Sequence, residues 1–383
     1  MTTADDATQM TDRTATTRPA APLRVALVGV GWRAQFYLRV AAALPRLFQV
    51  TAVATRGDGN RAMLDRSFGV PAVERVADLL AGGLADLVVS CAPWARAADV
   101  IRSCVAAGMP VLSETPPADT LEALLRLWDD VGPDARVAVA EEYPWRPQIH
   151  AALRIARSGR LGRVHHVRAA VGYRYHGVAV IRHALGVGRG PVDVTSHALD
   201  ATIVEPPGRD GPAGRDAVVD DQTIVALLDL GERRSALFDF SESQYFSPIR
   251  HTRLTIRGSH GEVDGTTVRW ATDVRTAFQA DLRRDQAGVG DDLRGAHLVG
   301  IHLGAEEVWR NHYAPARLSD DEIAVAAVLQ GTGDAFRAGG GGADLPYSLA
   351  DGCHDHDLGM LLETAGRQQP GRTLTTPSRP WHD

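Results

Sequence analysis

Two short runs of this sequence hold residue types suited to chemistry. The first is Gly29-Val30-Gly31-Trp32-Arg33. It ends the apolar run Leu23 to Val30 and precedes Ala34 to Leu44, where apolar residues recur at helical spacing. Gly29 and Gly31 keep the turn tight, so backbone N–H groups can approach a pyrophosphate at the positive end of the next helix. The third glycine of the usual fingerprint is absent, and the small Ala34 stands in that neighbourhood. Placed between a strand and a helix, the run points to dinucleotide binding. The alternative is a tight structural turn in an unrelated α/β protein. The second predicted strand ends in Ala54-Thr55-Arg56, without the acidic residue that holds the ribose hydroxyls of NAD. Arg56 suits a 2′-phosphate and Thr55 a hydrogen bond to it, which favours NADP over NAD; a solvated loop arginine is the alternative.

The second run is Tyr173-Arg174-Tyr175-His176. Two aromatics, an arginine and a histidine this close suit a polyhydroxylated or anionic ligand; the alternative is a surface strand end. His183 is a further candidate. His354-Asp355-His356-Asp357 looks like a metal cluster, but it falls where a helix is expected. Residues two apart on a helix diverge, and no third ligand stands at a fitting distance, so no metal is expected.

The elements that must position these residues fall into two patterns. Short apolar strands at Gln49 to Ala54, Asp86 to Cys91, Pro110 to Ser113 and Arg136 to Ala140 alternate with helical stretches at Arg61 to Phe68, Ala98 to Ala107 and Leu121 to Asp130. That alternation predicts a parallel sheet with helices on both faces. After a helix at Gln148 to Ser158, strand-like runs follow at Val164 to Gly172, Thr223 to Leu230, Ser235 to Ser243 and Arg253 to Gly258. A late helix is expected from Leu349 to Ala365. The predicted class is α/β: an N-terminal Rossmann dinucleotide-binding domain over 23–145, then an α+β domain over 146–370 with a large, open, mostly antiparallel sheet. Residues 1–22 and 371–383 are expected to be tails.

With 383 residues the chain suits two domains. A formal net charge of −6 and no basic patch give no reason to expect nucleic acid. The first 20 residues have no apolar core, which argues against a signal peptide or a membrane span. The three cysteines, Cys91, Cys104 and Cys353, form no disulfide framework, so a reducing compartment, the cytoplasm, is expected.

Several segments in order resemble the glucose–fructose oxidoreductase and inositol dehydrogenase family, Gfo/Idh/MocA. They are the loop at 29–33, the strand Leu87 to Cys91 with Ala92-Pro93, the run Val111-Leu112-Ser113-Glu114-Thr115-Pro116, and Ile256-Arg257-Gly258-Ser259-His260-Gly261. Asp193-Val194-Thr195-Ser196-His197 resembles the family's Asp-x-Gly-x-His segment. The resemblance implies hydride transfer between a nicotinamide and a CH–OH carbon of a sugar, cyclitol or related polyol. It implies cofactor contacts from Gly29, Gly31, Trp32, Arg33, Thr55, Arg56, Ala92, Pro93, Trp94, Glu114 and Thr115, and a sheet that joins copies into a homo-dimer or homo-tetramer.

The chain departs from the family at the catalytic lysine, whose position holds Thr115. Threonine has no ammonium to stabilise an alkoxide. The titrating role is therefore expected at His197, with Asp193 as its partner on one helical face if the segment is helical. Thr115, able to relay or hydrogen-bond, together with Tyr175 and His176, completes the expected catalytic set. Two other outcomes stay open: a redox-neutral cycle of transient oxidation and elimination, or a cofactor-binding protein without dehydrogenase activity.

Overall fold

Buried strands with short loops build the first layer. β1 (Leu23–Val28), α1 (Trp32–Ala43), β2 (Phe48–Ala54), α2 (Asp58–Phe68), β3 (Ala72–Val73), α3 (Val76–Ala81) and β4 (Leu87–Ser90) form its first half. α4 (Trp94–Ala106), β5 (Val111–Ser113), α5 (Leu121–Val131) and β6 (Val137–Val139) form the second. The six strands are parallel, in the order β3-β2-β1-β4-β5-β6. Every residue of β4, β5 and β6 is buried, as a sheet covered on both faces requires. The strand order reverses between β1 and β4, where an open α/β sheet leaves a crevice at its carboxyl ends. This computed structural model describes residues 21–212, 217–290, 293 and 295–382; the expected N-terminal tail lies outside them except for residues 21 and 22.

The second layer begins with α6 (Pro147–Arg157), β7 (Val164–Ala170), α7 (Arg174–Leu185), β8 (Asp193–Val204), β9 (Val218–Asp229) and β10 (Ser235–Ser241). β11 (Arg253–Gly258), β12 (Gly261–Asp264), β13 (Thr267–Ala271), β14 (Ala277–Ala287), β15 (His297–Leu303) and β16 (Glu306–Arg310) extend the sheet. α8 (Asp320–Arg337), α9 (Leu349–Gln368) and β17 (Thr373–Thr375) close the chain. Eleven strands run in the order β16-β15-β14-β13-β12-β11-β7-β10-β9-β8-β17, antiparallel except for the β7–β10 pair.

α9 ties the layers together through glycines seven residues apart. A Cβ at Gly352 would stand 2.7 Å from Val139 on β6, and one at Gly359 would stand 3.0 Å from the backbone of Tyr175 on α7. At Gly366 it would stand 2.9 Å from Ser196 on β8. Side chains there would push the helix off both sheets. α8 and α9 both start in capping boxes, Ser319 with Glu322 and Ser348 with Asp351, which satisfy N–H groups that a helix start leaves free.

The segment expected as a C-terminal tail is held in place. Its strand β17 pairs with β8, and Trp381 is buried edge-on against Trp128. The four residues His354 to Asp357 are buried in α9. Asp355 accepts from Arg182 at 2.6 Å and also from the Tyr347 phenol, while Asp357 pairs with Arg379 at 2.6 Å. These residues serve packing and ion pairing within the second layer. His183 lies against Trp145 and Tyr347, and burial pushes its imidazole down to about 3.

Candidate active site

Gly29 sits at φ 95°, and a Cβ there would stand 2.9 Å from the Cys91 carbonyl oxygen. Any other residue would be strained and would clash with the end of β4. Gly31 then caps α1 with no side-chain hydrogen bond, and the first turn of α1 holds no acidic residue. The N–H groups there keep their hydrogen-bonding capacity for an anion. Trp32 is 39% exposed at the mouth of this turn. Arg33 turns inward: its Nε lies 3.1 Å from Glu114 and a terminal nitrogen 3.4 Å from Glu142.

Arg33 and Glu114 were expected to touch the cofactor. The structure turns the partly exposed Arg33 onto the buried Glu114 in an ion cluster beside the loop, because a charge taken from water demands a partner. Tyr37 donates to the same Glu114 oxygen at 2.7 Å. Burial raises the Glu114 carboxyl against the pull of Arg33. Glu142 is also pushed up by burial, but Arg33, His176 and Arg146 together hold it below the usual range. Arg146 stacks 3.7 Å over the Tyr143 ring and pairs with Asp321 at 3.1 Å.

Ala92 and Pro93 carry the chain from β4 to α4, and Trp94, half exposed, opens that helix. Thr55 is buried at the end of β2, where its hydroxyl accepts from Asn60 at 3.1 Å; the next residue, Arg56, is exposed. These residues stand at the carboxyl ends of β4, beside the switch point, and of β2, next to β1.

The titratable centre lies at the ends of β5 and β6. Glu141, 1% exposed, accepts from His176 Nδ1 at 2.7 Å through one oxygen. Its other oxygen accepts the Tyr143 N–H at 3.0 Å. The His176 ring stacks on Tyr143 with centroids 4.2 Å apart, and Tyr175 meets it edge-on at 4.4 Å. The Tyr175 phenol lies near the Thr115 side chain, and burial raises its pKa far above the usual value. Tyr245 accepts the Tyr173 N–H at 2.6 Å, and its phenol lies near that of Tyr143. Tyr173 in turn lies 6.4 Å from Trp94 across the crevice. The run 173–176 is thus no surface strand end: Tyr173 caps α7, and Arg174 to His176 form its first turn.

A cleft of about 610 Å³ opens beside Tyr173 and Arg174. Ile224, Phe238 and Phe240 supply an apolar wall, and Asp220, Asp221 and Glu242 supply acceptors. The mixture of apolar wall and polar groups of both signs suits a small polyhydroxylated molecule.

Asp193 and His197 are not brought to this centre, and they are not on a helix. They lie on β8, where side chains alternate between faces. Val194 and Ser196 point at α9, with Ser196 donating to the Leu362 carbonyl at 2.8 Å. His197 and Asp193 therefore point to the open face, where both are exposed. The Asp193 carboxylate accepts from the Thr375 hydroxyl, and the His197 ring lies beside Gly371. Gly366, which touches the backbone of His197, is seven residues from Gly359, which touches Tyr175; that is about 10 Å along α9. Glu141 and Tyr143 are the members that sequence reasoning missed, although their position just past the carboxyl end of β6, the last strand of the parallel sheet, was the available signal.

Residues 23–137 match the model of the Gfo/Idh/MocA family, described as an oxidoreductase family with an NAD-binding Rossmann fold. The match lies within the N-terminal domain. Over nearly its whole length the chain is similar in fold to solved structures. An oxidoreductase from Agrobacterium radiobacter, in complex with NAD+, L-tartaric acid and magnesium, is 17% identical, with a TM-score of 0.65 over 92% of this chain and 98% of that one. Levoglucosan dehydrogenase in complex with NADH and levoglucosan is 17% identical, with a TM-score of 0.66 over 93% of this chain and 100% of that one. A scyllo-inositol dehydrogenase from Lactobacillus casei is 15% identical, with a TM-score of 0.62 over 93% of this chain and 98% of that one. No curated protein sequence matches the chain.

Proposed function

We propose that this protein is an NAD(P)-dependent oxidoreductase acting on a CH–OH carbon of a sugar, cyclitol or related polyol. In this reading the His176–Glu141 pair handles the hydroxyl proton. The observation that carries it is the 2.7 Å contact from His176 Nδ1 to a buried carboxylate at the sheet edge that also holds the dinucleotide loop. The uncapped start of α1 and the space kept open by Gly29 fit a dinucleotide pyrophosphate. When bound, the nicotinamide supplies the hydride acceptor or donor.

The chain's own residues do the rest. Glu141 accepts the Nδ1 proton and so leaves the Nε2 lone pair facing outward as a base. The same carboxylate stabilises the imidazolium formed when Nε2 takes the hydroxyl proton; in the reverse direction that imidazolium returns it. The hydroxyls of Thr115 and Tyr175, close neighbours in the site, hold the reacting oxygen without titrating. Trp94 and Tyr173 flank the entrance as apolar faces for a sugar ring. The sugar and cyclitol dehydrogenases among the similar folds support the substrate class.

At the adenosine end we assign Arg56 to a 2′-phosphate and hence a preference for NADP: its side chain is exposed and makes no ion pair among the described residues. We further assign a homo-dimer or homo-tetramer built on the open sheet face, where Leu199 and Leu227 are 51% and 58% exposed. No helix among the described residues is long and apolar enough to cross a membrane. Three free cysteines support a cytoplasmic location.

The test is nicotinamide absorbance at equilibrium and in turnover, with levoglucosan, inositols and their keto forms. Reduction or oxidation of the cofactor supports the reading. Tight dinucleotide binding with no turnover on any polyol or ketone identifies a binding protein instead. Elimination products without net cofactor change identify the redox-neutral cycle.

A further inference from the structure

Residues 205–212, which follow β8, carry the chain from the large sheet to the mouth of the dinucleotide turn. Its tip is fixed by reciprocal backbone hydrogen bonds, Gly208 N–H to the Gly211 carbonyl at 2.8 Å and Gly211 N–H to the Gly208 carbonyl at 3.1 Å. Arg209 and Asp210 are the two residues between them, so Arg209 stands at the apex of a closed turn. Its guanidinium carbon lies 4.6 Å from the centroid of the Trp32 ring. Trp32 is the first residue of α1, directly after Gly31. A side chain of the second layer thus rests on the rim of the loop that the first layer uses for phosphate.

Three features make this contact more than packing. Arg209 is exposed and has no carboxylate partner among the described residues, Asp210 included, so its charge is not consumed within the protein. The inward turn of Arg33, consumed by Glu114 and Glu142, leaves the dinucleotide loop without a free cation of its own. The first turn of α1 offers N–H groups but no side-chain charge of either sign beyond that ion-paired arginine. An arginine held over an aromatic ring keeps N–H groups free to fork onto phosphate oxygens.

We propose that Arg209 is a cofactor-binding residue, delivered by the segment that follows β8, whose guanidinium closes over the pyrophosphate of the bound dinucleotide while Trp32 holds it in place. This rests on the reading of residues 29–33 as the dinucleotide loop. It assigns to the second layer a direct part in holding the cofactor, and it applies equally to NAD(H) and NADP(H), whose pyrophosphates are the same.

The experiment is titration of the full-length wild type and the Arg209→Ala, Arg209→Glu and Trp32→Ala variants with NADH and NADPH, followed by calorimetry at low salt and at about 0.5 M salt, where charges a few ångströms apart are strongly screened. At low salt, Arg209→Ala weakens both cofactors about tenfold and Arg209→Glu weakens them further, the scale of one exposed charge-assisted hydrogen-bonded contact. Trp32→Ala gives a smaller loss in the same direction. The gap between wild type and Arg209→Ala narrows at high salt. Arg209→Ala affinity equal to wild type at low salt overturns the assignment. So does a loss that high salt leaves undiminished, since that is the mark of packing rather than charge. Wild-type protein that binds neither cofactor overturns the reading of the loop itself, an outcome distinct from both.

Discussion

Replacing Glu141 by glutamine tests the proposed proton relay most directly. The side chain keeps its shape in a site where it is 1% exposed, so the fold should tolerate the change. One oxygen of Glu141 accepts the Tyr143 N–H at 3.0 Å and the other faces His176 Nδ1 at 2.7 Å. In Glu141→Gln the amide oxygen keeps the Tyr143 N–H, which turns the NH₂ toward Nδ1. An NH₂ there donates, so Nδ1 must accept and the ring proton moves to Nε2. The outward nitrogen then has no lone pair with which to take the hydroxyl proton. The lost term is one buried charge-assisted hydrogen bond, about 1.5–3 kcal/mol. At 1.4 kcal/mol per decade this lowers kcat about 10- to 150-fold, with little change in KM or in cofactor affinity. His176→Ala should cost on the order of 10²-fold or more. The double mutant should cost no more than His176→Ala alone, because Glu141 acts only through the ring. Stopped-flow and steady-state nicotinamide absorbance measure all three, with melting temperature as the control for folding. Full turnover in Glu141→Gln, or additive losses in the double mutant, would refute the reasoning.

Four further outcomes are expected. Arg56→Glu should weaken NADPH more than NADH, read by titration of both; equal effects would leave Arg56 a plain loop residue. Leu199→Glu on the open sheet face should shift the assembly toward monomer in light scattering, and an unchanged mass would place the interface elsewhere. Burial pushes the His150 imidazole down to about 4 from 6.5, so the unfolded chain takes up a proton that the folded one refuses; that stability is full above about pH 6.5 and is lost as pH falls toward 4. His150→Gln should therefore lose less stability than wild type over this window in parallel thermal melts, and identical slopes would count against it. Thr115→Lys places an ammonium against the Tyr175 phenol in a buried site, so it should reduce native turnover; held or increased turnover would show that threonine and lysine are interchangeable solutions here.

The layered order of the first 140 residues was legible because buried parallel strands are short, apolar runs between glycine-marked turns. β1, β2, β4, β5 and β6 fall within a residue or two of their sequence-based spans. α7 was not legible, since burial on nearly every side erases the apolar stripe by which a helix is read: ten of its twelve residues are buried. α8 carried a readable start that was passed over, the capping box Ser319-Asp320-Asp321-Glu322. The glycine spacing 352, 359, 366 in α9 was equally plain in the sequence, but its meaning depends on what lies opposite, which only the structure supplies.

The displaced catalytic pair shows how a motif can mislead when its local structure is not settled first. Asp193 and His197 are four residues apart, which puts two side chains on one face of a helix and also on one face of a strand. Spacing alone therefore could not say which element carried them. On β8 the shared face is the open one, because the intervening positions, Val194 and Ser196, are those buried under α9. A histidine in the crevice must instead come from an element that starts at the crevice, and α7 does so through Tyr173, which is packed near Trp94 at the start of α4. His176 lies in the first turn of α7, within reach of the β6 carboxyl end, where consecutive Glu141 and Glu142 divide the work: one accepts from the imidazole and the other closes the ion cluster beside the dinucleotide loop. The two carboxylates are adjacent in sequence yet face different partners, because the chain leaving β6 turns at once into the single 3₁₀ turn Tyr143–Trp145. That turn sends Tyr143 back onto the His176 ring, so the first residue of the turn that follows the first sheet also fixes the plane of the proposed base.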